Sequence, residues 1–318
     1  MKKKFTYTKY PETDFEFQNL MLAIDTHLSS EGIDPAHRSI RVGRLLWEAF
    51  GLGGQSLIPP TELVFQPGFD GDKIMAKANL WFDQMYGERN KIDLVYGFAP
   101  FELKGVIWRV RFGFVLGEVG FFVDRNLVNQ KINHAGDVKV AFNMLSSVEE
   151  LTQGLAVQLT DEEITDFAKF YELAIKSLMW RDELPHTQLL EMAKRDYDSS
   201  TSEILAHRFG QARWAAQQAA EKTIKGFLAI ANIAFPTSAS KGHDLECLGA
   251  LLNDNHGVTL SHTSLVLVSC STKIRYGEEP STEKQAIDAN HAVLKILDQL
   301  RNSQRIKNSI ENWTKLNV

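Results

Sequence analysis

The spacing of apolar positions changes along the chain, and the predicted element changes with it. In residues 15–28, FEFQNLMLAIDTHL, Phe17, Leu20, Leu22, Ile24 and Leu28 recur at helical intervals. A second helix is expected through PAHRSIRVGRLLWEAFGL, stopping at the glycines of GLGG. PPTEL and QPGFDGD read as loops, and Asp72 is placed to cap a third helix, KIMAKANLWFDQMYG. From Asp93 the period falls to two. In VIWRVRFGFV, Trp108, Val110, Phe112 and Phe114 alternate with Arg109, Arg111 and Gly113, which predicts a strand with one buried and one wet face. IDLVYGF before it and VGFFVD after it are expected to join it in a small antiparallel meander, with LGE as a tight turn and GDVKVAF as a fourth strand.

Helical spacing returns at Thr160. TDEE is a capping box, and Ile164, Phe167, Tyr171, Ala174 and Leu178 continue it as one apolar stripe. Pro185 breaks the pattern, TQLLEMAKR predicts a short helix, and serine-rich RDYDSSTSE (195–203) reads as a domain boundary. Four helices are expected beyond it. The first is long, EILAHRFGQARWAAQQAAEKTIKGFLAIANI, followed after a loop by HDLECLGALLND and HTSLVLVSCSTKIRY. The fourth opens on the capping box of Thr282 and Gln285. Short connections predict an antiparallel up-down bundle. The expected fold is therefore α+β, mostly α. It comprises an N-terminal α+β domain over residues 1–198, a four-helix bundle over 199–304 and a C-terminal tail over 305–318.

Composition adds limits. The chain is 44% hydrophobic and 24% charged, as in ordinary soluble proteins. Residues 1–200 hold 22 basic and 29 acidic side chains, whereas residues 201–304 balance at 10 of each. Neither part carries the basic excess of a tight, non-specific nucleic-acid binder, which leaves at most a local groove. The apolar run GVIWRVRFGFVLGEVGFFV is interrupted by Arg109, Arg111 and Glu118, so no membrane span is expected. The lysines at the start have no apolar stretch behind them, and Cys247 and Cys270 read as buried free thiols. A cytoplasmic location follows as the expectation.

Few stretches in the first two hundred residues carry chemistry. GLGGQS (51–56) lacks the strand-to-helix setting of a dinucleotide loop, and DGD (70–72) lacks the further acids of a calcium loop. His27, His37 and His134 have no partners at metal-ligand spacing, so neither a metal nor a cofactor is expected. Arg38, Arg41 and Arg44 are three apart, a stripe that can hold a phosphate or an acidic partner. The competing reading is a solvated face with Arg44 paired to Glu48. In the bundle, Arg275 and Tyr276 put a guanidinium beside a phenol, suited to a phosphate and a base. His243 opens the second helix next to Asp244. Glu221 and Lys222 form either the wet edge of the first helix or part of a polar cleft. His291, at i+4 from Ile287, reads as a core histidine at the bundle boundary.

Three pieces in order, AAEKTIKGFL (219–228), HDLECL (243–248) and IRYGEEPSTEKQAIDANHAVLKIL (274–297), make the last third resemble a HEPN domain. HEPN denotes the higher eukaryote and prokaryote nucleotide-binding four-helix fold. The resemblance implies one of two roles. Many such domains are metal-independent RNases, working as dimers with an Arg followed four to six residues later by a His near the third-to-fourth helix junction. Others lack that pair and bind nucleotide, RNA or a partner protein, often in stress or defence systems. Here Arg275 is followed by YGEEPSTEKQ, with no His in range, and His291 stands sixteen residues on. The Arg181–His186 spacing in RDELPH fits the interval but lies outside the bundle. The expectation is a non-catalytic, homodimeric HEPN protein binding nucleotide, RNA or a protein partner. The alternatives are a metal-independent RNase with a non-standard pair and a structural dimerisation protein.

Overall fold

The computed structural model describes residues 4–51, 56, 59–90, 94–114, 119–126, 140–238 and 242–317. Residues 52–54 of the GLGG segment and the LGE turn expected above lie outside the described residues. The chain forms two compact units, residues 1–93 and 94–318.

The first unit is helical. Thr13 and Glu16 close a capping box that starts α1 (Asp14–Ser30). Leu20, Ile24 and Leu28 are four apart and fully buried, whereas Leu22, some 200° away around the helix, is 49% exposed. The expected second helix is divided. Pro35–His37 and Ser39–Arg41 are 3₁₀ turns, and only α2 (Val42–Phe50) is α-helical, ending at Gly51 with φ 69°. Asp72 is the first residue of α3 (Asp72–Tyr86) rather than its cap, which is Gly71. Leu45, Leu46, Ile74, Ala78 and Phe82 complete this core with the α1 stripe.

The second unit opens with strands. β1 (Val95–Leu103) and β2 (Val106–Gly113) pair antiparallel across a two-residue turn, Lys104 and Gly105, both at positive φ. Val110 and Phe112 are fully buried and Arg109 is exposed, as the alternation predicts, whereas Phe114, expected on the buried face, is 46% exposed. The third strand departs from a simple meander. β3 (Val119–Phe122) pairs with β4 (Val140–Asn143), and it does so in parallel.

Helices complete the unit: α4 (Gln153–Ala156), α5 (Asp161–Asp182), α6 (Gln188–Leu205), α7 (Phe209–Ile230), α8 (Leu245–His256), α9 (His262–Val268), α10 (Thr272–Arg275), α11 (Glu283–Arg301) and α12 (Gln304–Asn317). The capping boxes at Thr160 and Thr282 both form. The serine-rich stretch read as a boundary is the second half of α6. Its face Tyr197, Ser200, Thr201 and Ile204 recurs at i, i+3, i+4 and i+7 and is buried. Asn290 of α11, with no exposed surface, donates to Ser200 Oγ and Thr201 Oγ1 at 3.2 Å each. These bonds offset the low helix propensity of serine and threonine, because tertiary packing overrides propensity.

The expected long first helix is two. His207, at φ 56°, ends α6, and α7 begins at Phe209. The expected third helix is likewise split into α9 and α10 around Ser269–Ser271, and residues 305–318 hold α12 rather than a plain tail. β1 packs on α5, α6 and α11, so one hydrophobic core runs from Ala99 to Ile306. Position 198 lies in the middle of α6, a helix whose Leu190 and Tyr197 belong to that continuous core. Among the described residues, no helix is long and apolar enough to cross a membrane.

Candidate functional site

The helix α7 organises the polar chemistry of the second unit. Arg213, Gln217, Glu221 and Lys225 are four apart and therefore lie along one ridge. Arg213 donates to the Ser269 carbonyl at 3.2 Å and to Ser281 Oγ at 3.3 Å. Gln217, buried, accepts the Cys270 backbone N–H. This ridge holds the α9–α10 connection in place. Both cysteines are free and half-buried, and burial pushes the Cys270 thiol pKa up, away from a reactive thiolate.

Glu221 is 4% exposed and has two partners: Lys225 Nζ at 2.7 Å and His243 Nδ1 at 2.7 Å. A buried carboxylate on Nδ1 fixes the ring orientation and leaves Nε2 of the half-exposed His243 facing outward. Asp244, not His243, is the N-cap of α8; its carboxylate accepts from Glu246 and Cys247 N–H. Lys222, adjacent to Glu221, points elsewhere, because one step along a helix is a 100° turn. It forms an ion pair with Asp196 of α6.

Arg275 and Tyr276 lie at the other end of α7. The Arg275 carbonyl accepts from Gln211 at 3.2 Å. A Cβ at Gly210 would come within 3.1 Å of the Ile274 carbonyl, so glycine permits α10 to approach this closely. The Arg275 guanidinium sits 4.9 Å from the Trp214 ring centroid and 5.7 Å from that of Tyr276. Among the described residues it has no carboxylate partner, and Tyr276 is 71% exposed. The ring that carries Arg275 and the carboxylate that carries His243 are thus seven residues apart on α7, about 10 Å along its axis.

The remaining candidates have structural partners except Arg41, whose Nε is buried without a hydrogen-bond partner among the described residues. Arg38 is 9% exposed and bonded to Asp25 at 2.9 Å, Tyr86 Oη at 2.8 Å and the Ile33 carbonyl at 2.8 Å. Arg44 meets Glu48 at 3.4 Å, and Arg41 ends a 3₁₀ turn, so the three arginines do not share one helix edge. His291 Nε2 lies 2.7 Å from the Pro100 carbonyl, with its ring 4.6 Å from that of Phe170. Burial pulls its pKa down to about 4, so it is neutral and donates to that carbonyl. Arg181 is buried on the Tyr96 carbonyl and Asp198, while His186 is exposed and paired with Glu191. The spacing in RDELPH therefore makes no Arg–His pair. Among the described residues no cluster of His, Cys, Asp or Glu is placed to hold a metal ion.

Reading the sequence alone missed Trp214, the platform for Arg275, and Lys225, the second partner of Glu221. The four-residue spacing along α7 carried the signal for Lys225; nothing local announced Trp214.

The family model described as HEPN domain matches residues 186–303. The match begins two residues before α6 and ends two after α11, and so includes the serine-rich half of α6. Neither the curated proteins nor the solved structures give a match to the chain. The C-terminal portion of this chain, residues 186–303, is a HEPN domain.

Proposed function

We propose that the protein is a non-catalytic HEPN module that binds nucleotide or RNA through the surface around Arg275 and Tyr276. The observation that carries this reading is the Arg275 guanidinium, held over Trp214 beside an exposed phenol, with no carboxylate among the described residues to neutralise it. A cation held over one ring and next to another offers a phosphate contact and a stacking face together. No histidine pairs with Arg275 among the described residues, and His291 is held in the core by Pro100. This supports binding over cleavage. Homodimerisation through the bundle, a cytoplasmic setting and a stress or defence role belong to the same proposal. They rest on the HEPN assignment and, for the location, on two free cysteines. The test is the affinity for labelled single-stranded RNA without metal. Arg275→Ala should weaken binding about tenfold and flatten its salt dependence. Equal affinity for both proteins would remove this surface from the account.

A second reading, a metal-independent RNase with a non-standard pair, draws on one specific contact. Glu221 orients His243 as a carboxylate orients a general base. In this reading a second copy of the chain brings its Arg275 to His243. Metal-free RNA cleavage abolished by His243→Ala would establish it.

A further inference from the structure

In the first unit, α1, α3 and the 3₁₀ turn Thr61–Phe65 border an open groove of about 770 Å³. Every residue that lines it falls between 12 and 84, outside the HEPN match, and none belongs to the Arg275 surface. Its floor is aromatic. The rings of Phe17 and Phe69 stack with centroids 5.1 Å apart, and Trp81 is fixed by donation from Nε1 to Gln18 at 2.6 Å. The rim is apolar too, yet it faces water: Phe65 is 89% exposed and Leu80 39%. A phenyl ring standing clear of the core at the mouth of an aromatic groove marks a surface that burial would stabilise. The charges are unequal. Among the described residues the one cation in the lining is Lys77, which donates to the Gly68 carbonyl at 2.9 Å and covers the Phe69 ring at 4.4 Å. Glu12 and Asp14 make no hydrogen bond or ion pair through their carboxylates among the described residues, although Asp14 also meets the N-terminal dipole of α1. Lys9, which lies in the field of Glu12, is paired with Glu16. The side-chain amides of Gln66 and Gln84 are likewise unbonded among the described residues.

We infer that this groove docks an extended peptide segment of a partner protein, in which apolar side chains stand beside a lysine or arginine. The apolar anchors follow from Phe65, Leu80 and the aromatic floor, whose surface such side chains would remove from water. The basic residue follows from Glu12 and Asp14. The unpaired charge at the rim is negative, and an ammonium or guanidinium meets it with charge-assisted hydrogen bonds. The extended backbone follows from Gln66 and Gln84. A helix satisfies its own N–H and C=O groups and leaves these amides idle, whereas an extended or polyproline segment has backbone groups to offer them. The same negative rim disfavours a phosphate, so this groove is no second nucleotide surface.

A phage-displayed library of random peptides is selected on the whole 318-residue chain. Enriched peptides are then labelled and titrated by fluorescence anisotropy into the parent and its Phe65→Ala, Glu12→Lys and Arg275→Ala variants. Phe65 and Glu12 are exposed, so neither change reaches the core. The expected peptides join apolar residues to lysine or arginine and tolerate proline at an interior position, which a helix would not. Their affinity should fall about tenfold in Phe65→Ala and in Glu12→Lys, weaken with salt, and stay unchanged in Arg275→Ala. Failure to enrich, enrichment of acidic peptides, or equal affinity for the parent and both groove variants would overturn the inference. So would affinity abolished by every interior proline, or an equal loss in Arg275→Ala. Light scattering is run alongside: a parent dimer that Phe65→Ala separates would put a second copy in the groove and likewise overturn it.

Discussion

His243 Nδ1 lies 2.7 Å from Glu221, a carboxylate almost wholly inside the protein, which also receives Lys225 at 2.7 Å. Lys225 of α7 and His243 at the α8 entrance thus share one buried anion. A buried charge is tolerated only while its partners remain. Glu221→Gln keeps the shape but strands Lys225, and should cost about 1–3 kcal/mol in urea denaturation at pH 7. Lys225→Met in the same background should recover part of that loss, because no unpaired ammonium is then left in the ridge. A change below about 0.5 kcal/mol for Glu221→Gln would show that the ridge does not hold these helices together.

Gly226 tests the packing of α6 on α7. A Cβ there would stand 2.6 Å from Leu190 Cδ2 and 2.9 Å from its Cγ, and Leu190 is itself buried. Alanine favours a helix over glycine by about 1 kcal/mol, whereas overpacking a core costs about 1–3 kcal/mol. The steric effect should win, and Gly226→Ala should lower the thermal midpoint. Gly226→Ala combined with Leu190→Ala should reverse the steric part. A single variant more stable than the parent would mean that the two helices part without cost.

His291 predicts an acid limb in stability. Its folded pKa is near 4, against about 6.5 in an unfolded chain, so between those values the unfolded state binds more protons. Stability from this residue is complete above pH 6.5 and is lost as pH falls toward 4. Part of the residue reaches solvent, so the loss should be on the order of 2 kcal/mol, below the full linkage value. His291→Gln should remove that part of the slope, measured by urea titrations at pH 7 and pH 5. An unchanged slope in the variant would show that other groups dominate the acid response.

Local signals were legible in the sequence and long-range ones were not. The capping boxes at Thr160 and Thr282 and the β1–β2 hairpin need only neighbours in the chain, and each formed where the pattern placed it. The parallel pairing of β3 with β4 joins residues some twenty positions apart and left no mark in either strand. The serines at 199, 200 and 202 suggested a linker because the partner of Ser200, Asn290, stands ninety residues away. The helix α12 was detectable: Ile306, Ile310 and Trp313 recur at i, i+4 and i+7, and the first is fully buried. At the candidate site, Glu221 and His243 were each visible as chemistry, but their contact depends on the turn between α7 and α8. The separation of Arg275 from both follows from which end of α7 each helix meets.

The central claim is that the Arg275 surface binds RNA without cleaving it. The direct measurement incubates a mixed, labelled RNA pool with the purified protein in the absence of metal, then follows retention and fragment length together. The account predicts intact RNA retained by the parent protein and released by Arg275→Ala. Fragments produced by the parent and abolished by Arg275→Ala or His243→Ala would contradict it and make the protein a ribonuclease.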